Sequence, residues 1–243
     1  MWNEQEKQQF LEHGYLHVRG LLDQPRVETI RAEFEDIWGR HGRSNQHVLL
    51  RYPTFIDLIE HPPILERVGA VFGRQTQLLQ YDFLRQERND TFPLRGWHRD
   101  FSFAGDRPLS MNVIVYLDEM TDERGPTYVV PGSQRGDALP PKDMRDKPMP
   151  GEVAVYADPG DAVFINSAIW HSGSRNQAQG LRRAIYMYYG YWWLKRYESD
   201  RALPPACLRD AGEMRLRLLG FQMPDGDVHM YDPTKLLRDP AGK

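Results

Sequence analysis

Two of the eight histidines stand out by their surroundings. His98 lies in Gly96-Trp97-His98-Arg99-Asp100-Phe101 and His171 in Ala168-Ile169-Trp170-His171-Ser172-Gly173, each at the edge of a predicted strand among glycines and aromatics. On an extended backbone, side chains i and i+2 share a face, so His98 and Asp100 can point at one ion while Arg99 points away. His171 offers a third donor. Two imidazoles and one carboxylate on one face of an ion is the donor set of non-haem Fe(II) sites, which leaves the remaining positions open for other ligands.

The His-x-Asp spacing has little weight alone, because eight His and twenty Asp in 243 positions give about 0.7 such pairs by chance. It gains force from the residues beyond His171. Arg182 opens the next predicted strand, eleven residues on, after a connection rich in Gly, Ser and Asn. Facing sheets lie about 10 Å apart, a gap that an extended guanidinium and a five-carbon diacid held by the metal could span together. Strand alternation sends the neighbouring Arg183 to the opposite face. A hydrogen-bonded structural role is the bland reading of either histidine taken singly. His13, His17, His41, His47, His61 and His229 lack matching partners and are read as structural. Arg85, Arg88, Arg95 and Arg99 cluster near the first donors and read as a solvated charged edge, or as a site that greets an acidic group of the substrate.

The elements that must carry these residues fall into two groups. Asn3 with Glu6 predicts a helix start, Phe10 and Leu11 its apolar face and Gly14 its stop. A short strand is expected over residues 15–18. Asp23 caps a second helix in which Val27, Ile30, Phe34, Ile37 and Trp38 recur at helical spacing before Gly39 and Gly42. Ile64, Leu65, Val68, Val71 and Phe72 mark a third, between Pro62-Pro63 and Gly73. After Gly73, the segments 76–85, 109–117, 127–130, 153–156, 162–169 and 183–193 are short, rich in β-branched and aromatic residues, and separated by Gly, Pro, Asp and Asn. They predict antiparallel β structure. Residues 139–151, with several prolines among charges, read as an excursion from the β core, a surface loop or a lid. A helix over 211–219 and a turn at Pro224, Asp225 and Gly226 are expected near the end. A single domain over 1–243 is the default for this length: mostly helical over 1–75, a β core over 76–195, a mixed segment over 196–243.

Composition excludes several functions. Net charge of −3 provides no global positive field to gather nucleic acid or an anionic membrane. The single Cys207 rules out an intrachain disulfide and any Cys-based zinc cluster, which fits a reducing compartment. The N-terminus has no signal-peptide core, and the longest apolar run, residues 184–194, is too short to cross a bilayer; a cytoplasmic location is expected. No strand-helix-strand alternation, G-x-G-x-x-G or Walker sequence points to a nucleotide fold.

Taken together, the opening helix-Gly-strand over 10–22, Trp97-His98-Arg99-Asp100, Gly125-Pro126-Thr127-Tyr128-Val129-Val130-Pro131-Gly132-Ser133, Gly160-Asp161-Ala162-Val163-Phe164 and the segment 171–182 resemble the phytanoyl-CoA dioxygenase-like Fe(II)/2-oxoglutarate oxygenases. The resemblance covers most of the chain. It implies a mainly β fold with flanking helices, a double-stranded β-helix or cupin-like jelly roll. It also implies Fe(II) held by His98, Asp100 and His171, 2-oxoglutarate paired through its distal carboxylate with Arg182, and O2 as the oxidant. Asn112 matches a polar position that touches the cosubstrate in such relatives. Relatives often carry Ser two residues after the distal histidine, on the same carboxylate; here that position is Gly173, between Ser172 and Ser174. Asp100, where halogenating members resemble this pattern with Gly or Ala, argues for oxygen insertion. The expected activity is hydroxylation of an unactivated C–H bond of a small-molecule metabolite with release of succinate and CO2. The alternatives are desaturation, epimerisation or cyclisation at the same iron, or a cupin-like metal-binding module without oxygenase activity.

Overall fold

The computed structural model describes residues 3–101, 103, 107–194 and 202–222. The chain enters α1 (Glu4–His13) through Asn3, whose side-chain oxygen accepts the Glu6 N–H at 2.7 Å. It leaves through Gly14, whose left-handed φ of 79° lets the chain reverse directly into β1 (Tyr15–Val18). α2 (Gln24–His41) starts on the Asp23 cap and buries Val27, Ile30, Phe34 and Ile37. It runs through Gly39, one of its two expected stops, and ends at Gly42, because one glycine inside an otherwise well-packed helix costs only about 1 kcal/mol. α5 (Pro62–Phe72) lies where expected. Between them α3 (Gln46–Leu49) and α4 (Pro53–Ile59) were not legible, being too short to show a period.

Among the described residues seven further strands follow the helical opening. β2 (Thr76–Gln86), β3 (Ser110–Tyr116), β6 (Ala162–Asn166) and β8 (Arg182–Tyr191) join β1 in an antiparallel sheet of order β1-β6-β3-β8-β2. β4 (Thr127–Val130), β5 (Val153–Val155) and β7 (Trp170–Ser172) form a second antiparallel sheet of order β5-β4-β7. The strand expected over 162–169 ends at Asn166 as β6, and residues 167–169 form the turn that leads into β7 at Trp170. The Asn166 side chain accepts the Ala168 N–H at 2.9 Å and its carbonyl accepts the Ile169 N–H at 2.9 Å, a tight turn that carries the chain from the larger sheet to the smaller. The expected helix over 211–219 is α6 (Glu213–Leu218), and the turn at Pro224, Asp225 and Gly226 lies outside the described residues. Among the described residues no helix is long and apolar enough to cross a membrane.

The larger sheet is apolar on both faces. Met111, Val113, Val115, Phe164, Ile185, Met187 and Tyr189 pack outward against the helices, where Phe34 stacks on Phe83 of β2 with ring centroids 4.1 Å apart. Ile114, Tyr116, Val163, Ile165 and Ala184 point the other way, against Val129 and Val155 of the smaller sheet. The sheets therefore face each other over a second core, with the helices backing one of them. Truncating Phe34 removes a fully buried ring at the helix-sheet contact. Phe34→Ala is expected to lower unfolding free energy by about 3–5 kcal/mol, measured as a reduced denaturant midpoint at unchanged slope.

Candidate functional site

One pair of main-chain hydrogen bonds builds the core of the site. The His98 N–H donates to the His171 carbonyl at 3.0 Å and the His171 N–H to the His98 carbonyl at 3.1 Å, an isolated antiparallel rung at the edge of β7. A closed rung sets two side chains beside each other on one face, and the imidazole centroids lie 4.2 Å apart. Three residues on from His98, the Phe101 N–H donates to the Ser167 carbonyl at 2.9 Å, which ties the Asp100 backbone to the turn between β6 and β7.

Each ring is then oriented by its own strand. Nδ1 of His98 bonds the Gly96 carbonyl at 2.7 Å, and Nδ1 of His171 bonds the Ile169 carbonyl at 3.0 Å. A carbonyl only accepts, so both Nδ1 atoms carry the proton, and in the neutral rings both Nε2 atoms present a lone pair. Both Nε2 atoms lie 3.5 Å from the same Asp100 Oδ1, and one donor atom from each of the three side chains falls within 4.8 Å of the others. Asp100 Oδ2 is buried without a hydrogen-bond partner. Burial alone would raise the Asp100 carboxyl, but the charges and hydrogen bonds of His171 and His98 outweigh it and hold the group well below the usual carboxylate range. For His171, burial works against the charged ring, and the Asp100 carboxylate overrides it and raises its pKa. The His98 side chain is 51% exposed and that of His171 6%, so the cluster opens to solvent on the His98 side.

Arg182, the largest side chain that is fully buried, sits on the inner face of β8. Its Nε donates to the Gly125 carbonyl at 2.8 Å, Nη2 has no partner, and among the described residues no carboxylate pairs with it. Gly125 has φ of 80°, and a Cβ there would stand 2.6 Å from the Arg175 carbonyl oxygen, so only glycine lets the chain present its own carbonyl here. Arg183 points to the opposite face, as alternation requires, where it binds Asp118 at 2.7 Å and Glu35 at 3.1 Å. Asn112 is buried on the inner face of β3, in register with Tyr188, with its Oδ1 unpartnered.

Among the described residues four of the other histidines have side-chain partners, whereas His13 is exposed, with its main-chain carbonyl accepting the Gly132 N–H. His17 bonds Asp161 at 2.9 Å, His41 the Tyr52 hydroxyl, His47 the Ala202 carbonyl and His61 the Leu21 carbonyl, while His229 lies outside the described residues. Arg85 pairs with Glu35 and Glu87, Arg95 with Glu152, and Arg99 donates to the Ser133 and Gly136 carbonyls, so these three hold the frame. The segment 139–151 lies against the site's flank: the Trp97 indole donates to the Lys147 carbonyl at 2.9 Å, and the Trp170 indole to the carbonyl of Ala138, the residue just before the segment, at 3.0 Å. Gly173 carries no side chain, and the Ser172 hydroxyl accepts the Gly96 N–H and donates to the Gly173 carbonyl.

Three polar residues on the inner face of β2, Gln80, Asp82 and Gln86, were not singled out from the sequence. Asp82 stands in register with Tyr186 and Gln86 with Arg182. Burial raises the Asp82 carboxyl, against a hydrogen bond from Gln80 and the charge of Arg43, while the Asp100 charge adds to the rise. Gln80, Asp82 and Gln86 alternate with Tyr81 and Phe83, a pattern that reads as a solvent-facing strand although the polar side faces inward. The signal available in the sequence was the even spacing of polar residues in a strand otherwise as apolar as a core strand.

The model of the family described as Phytanoyl-CoA dioxygenase (PhyH) matches residues 10–184. Dioxygenase trt7 of Aspergillus terreus is 26% identical over 138 residues, which cover 54% of this chain and 47% of that protein, so the match spans about half the relative's length. Among solved structures, HygX from Streptomyces hygroscopicus with nickel and 2-oxoglutarate bound superimposes with a TM-score of 0.71 at 18% identity, over 84% of this chain and 96% of its own. The non-heme alpha ketoglutarate dependent epimerase SnoN from nogalamycin biosynthesis does so with a TM-score of 0.63 at 23% identity, over 77% and 80%. At these identities the two structures speak for the fold: antiparallel sheets with flanking helices, shared with both. With the family match spanning well over half of its length, the chain belongs to the phytanoyl-CoA dioxygenase (PhyH) family of enzymes.

Proposed function

We propose that this chain is an Fe(II)- and 2-oxoglutarate-dependent oxygenase that hydroxylates a C–H bond of a small-molecule metabolite, with the fold read as a double-stranded β-helix spanning a single domain. The observation that carries the reading is Arg182: a buried cation without a carboxylate partner among the described residues, on the sheet that faces a cluster of three acceptor atoms. An unpaired buried charge costs several kcal/mol, which an anion brought by a ligand would offset. The donor set fits ferrous iron, since two imidazole nitrogens and one carboxylate oxygen leave half of an octahedron open. When bound, the iron and 2-oxoglutarate supply the oxidising power for C–H cleavage, with O2 consumed and succinate and CO2 released.

The chain's own residues bind, orient and neutralise. His98 and His171 offer Nε2 because their Nδ1 atoms are held by the Gly96 and Ile169 carbonyls, so ring orientation is set before any ion arrives. Arg182 takes the distal carboxylate of the cosubstrate, and its charge with the two positive units of iron balances Asp100 and the diacid. Asn112, its amide buried on the same inner face, is assigned a supporting contact to the cosubstrate. Solvent access beside His98 provides the approach for substrate. The nickel and 2-oxoglutarate bound by HygX support this assignment, and the epimerase activity named for SnoN marks the main competing outcome on the same frame. Desaturation and cyclisation compete on the same grounds. A metal-binding module without oxygenase activity would have no use for a buried, unpaired arginine.

Succinate release stimulated by substrate is the expected signature, and a product that gains one oxygen atom by mass spectrometry distinguishes hydroxylation from desaturation or epimerisation. Asp100→Ala is expected to abolish turnover and ferrous binding while circular dichroism and melting remain near wild type; retained turnover at full iron loading would remove Asp100 from the ligand set. Arg182→Leu should raise the 2-oxoglutarate requirement about a hundredfold, from the loss of a buried charge pair. Arg183→Leu should instead lower melting temperature by stranding Asp118, with a small effect on the cosubstrate requirement. Equal cosubstrate effects in the two variants would contradict the assignment.

A further inference from the structure

The rung that carries Arg182 holds a second orphan. Gln86 of β2 is its cross-strand partner in the register of the larger sheet, so the two side chains leave adjacent strands toward the same face. Gln86 is 1% exposed, and both its amide nitrogen and its amide oxygen are buried without a hydrogen-bond partner. Beside it, Nη2 of Arg182 is buried and unpartnered as well. Three neighbouring polar atoms with unmet hydrogen bonds make a costly arrangement, because each unmade bond forfeits about 1–3 kcal/mol. Arg183, one residue along the same strand, has both of its acidic partners in place, so the missing bonds are particular to the inner face.

We propose that Gln86 is a second anchor for the distal carboxylate of 2-oxoglutarate, donating from Nε2 to a carboxylate oxygen while Arg182 grips the group with its free guanidinium edge. The inference rests on the cosubstrate reading above and adds a residue to it. A carboxylate offers about four lone-pair sites, and a single guanidinium fills two. Nε of Arg182 is already committed to the Gly125 carbonyl, so a further donor has to come from elsewhere. Gly173 provides no side chain, and the Ser172 hydroxyl is engaged with Gly96 and Gly173. Gln86 is the amide that stands on the arginine's own rung. Its neutrality also matters. Iron and Arg182 together already balance Asp100 and the diacid, so a second cation would leave net charge in a buried site, whereas an amide adds a donor and no charge.

The test measures binding, not turnover. Dissociation constants for 2-oxoglutarate and for 2-oxopentanoate, which lacks the distal carboxylate, are read anaerobically from the visible charge-transfer band of ferrous-loaded protein. Gln86→Leu and the near-isosteric Gln86→Met should each weaken 2-oxoglutarate about ten- to thirtyfold, the loss of one hydrogen bond to a charged group, and leave 2-oxopentanoate within about twofold. Gln86→Glu should weaken 2-oxoglutarate more than either, by placing like charge beside the carboxylate. If both apolar variants weaken the two ligands equally, Gln86 acts through the frame and the proposal falls. It falls equally if folded Gln86→Met binds 2-oxoglutarate as wild type does while Arg182→Leu does not, an outcome that leaves the cosubstrate reading standing. If wild-type protein shows no 2-oxoglutarate binding, both are overturned.

Discussion

Everything at this site depends on one antiparallel rung, the pair of hydrogen bonds between the main chains of His98 and His171. The residues are far apart in sequence, and the rung makes them neighbours with their side chains on one face. The carbonyls two residues before each histidine then take the Nδ1 protons, and that leaves both Nε2 lone pairs beside the Asp100 carboxylate. Three acceptors turned on one point repel one another unless a cation or protons stand among them. The backbone thus builds a demand for positive charge, and burial of His171 and of Asp100 Oδ2 keeps water from meeting it cheaply.

The same pleat sorts two adjacent arginines into different tasks. Arg183 looks outward to Asp118 and Glu35, joining β8 to α2 and to the residues after β3. Arg182 looks inward and finds no carboxylate among the described residues. A period of two suffices for this division, since no residue can face both sides of a sheet. The contrast separates a cation used to hold the fold from one left available to a ligand, and it is why the functional reading rests on Arg182 and not on the abundance of arginine.

Support around the cluster comes from the residues next to His98 and His171. Trp97 and Trp170 each precede one of the paired histidines, and each indole donates to a carbonyl in the stretch after β4. Arg95 and Arg99, which flank His98, spend their guanidinium groups on Glu152 and on the carbonyls of Ser133 and Gly136. Charge near the first donors therefore stiffens the frame more than it greets a substrate. Displacing the stretch after β4 would break bonds one residue from each histidine, which couples its position to the geometry of the donors.

The helical opening, the run of short strands, the His-x-Asp pair, the distal histidine and the opposite faces of Arg182 and Arg183 were legible from local pattern alone. These follow from caps, turn residues and a period of two, all of which act over a few residues. The packed fold set what depends on partners distant in the chain. It ended the strand expected over 162–169 at Asn166, because Asn166 closes a turn over 167–169 that sends the chain to β7 in the other sheet. It turned the polar side of β2 inward, so that Gln80, Asp82 and Gln86, which alternate like a solvent face, line the interior. It also committed the arginines near His98 to the frame. Periodicity reports which side chains share a face, and only packing decides whether that face meets water, another sheet or a ligand.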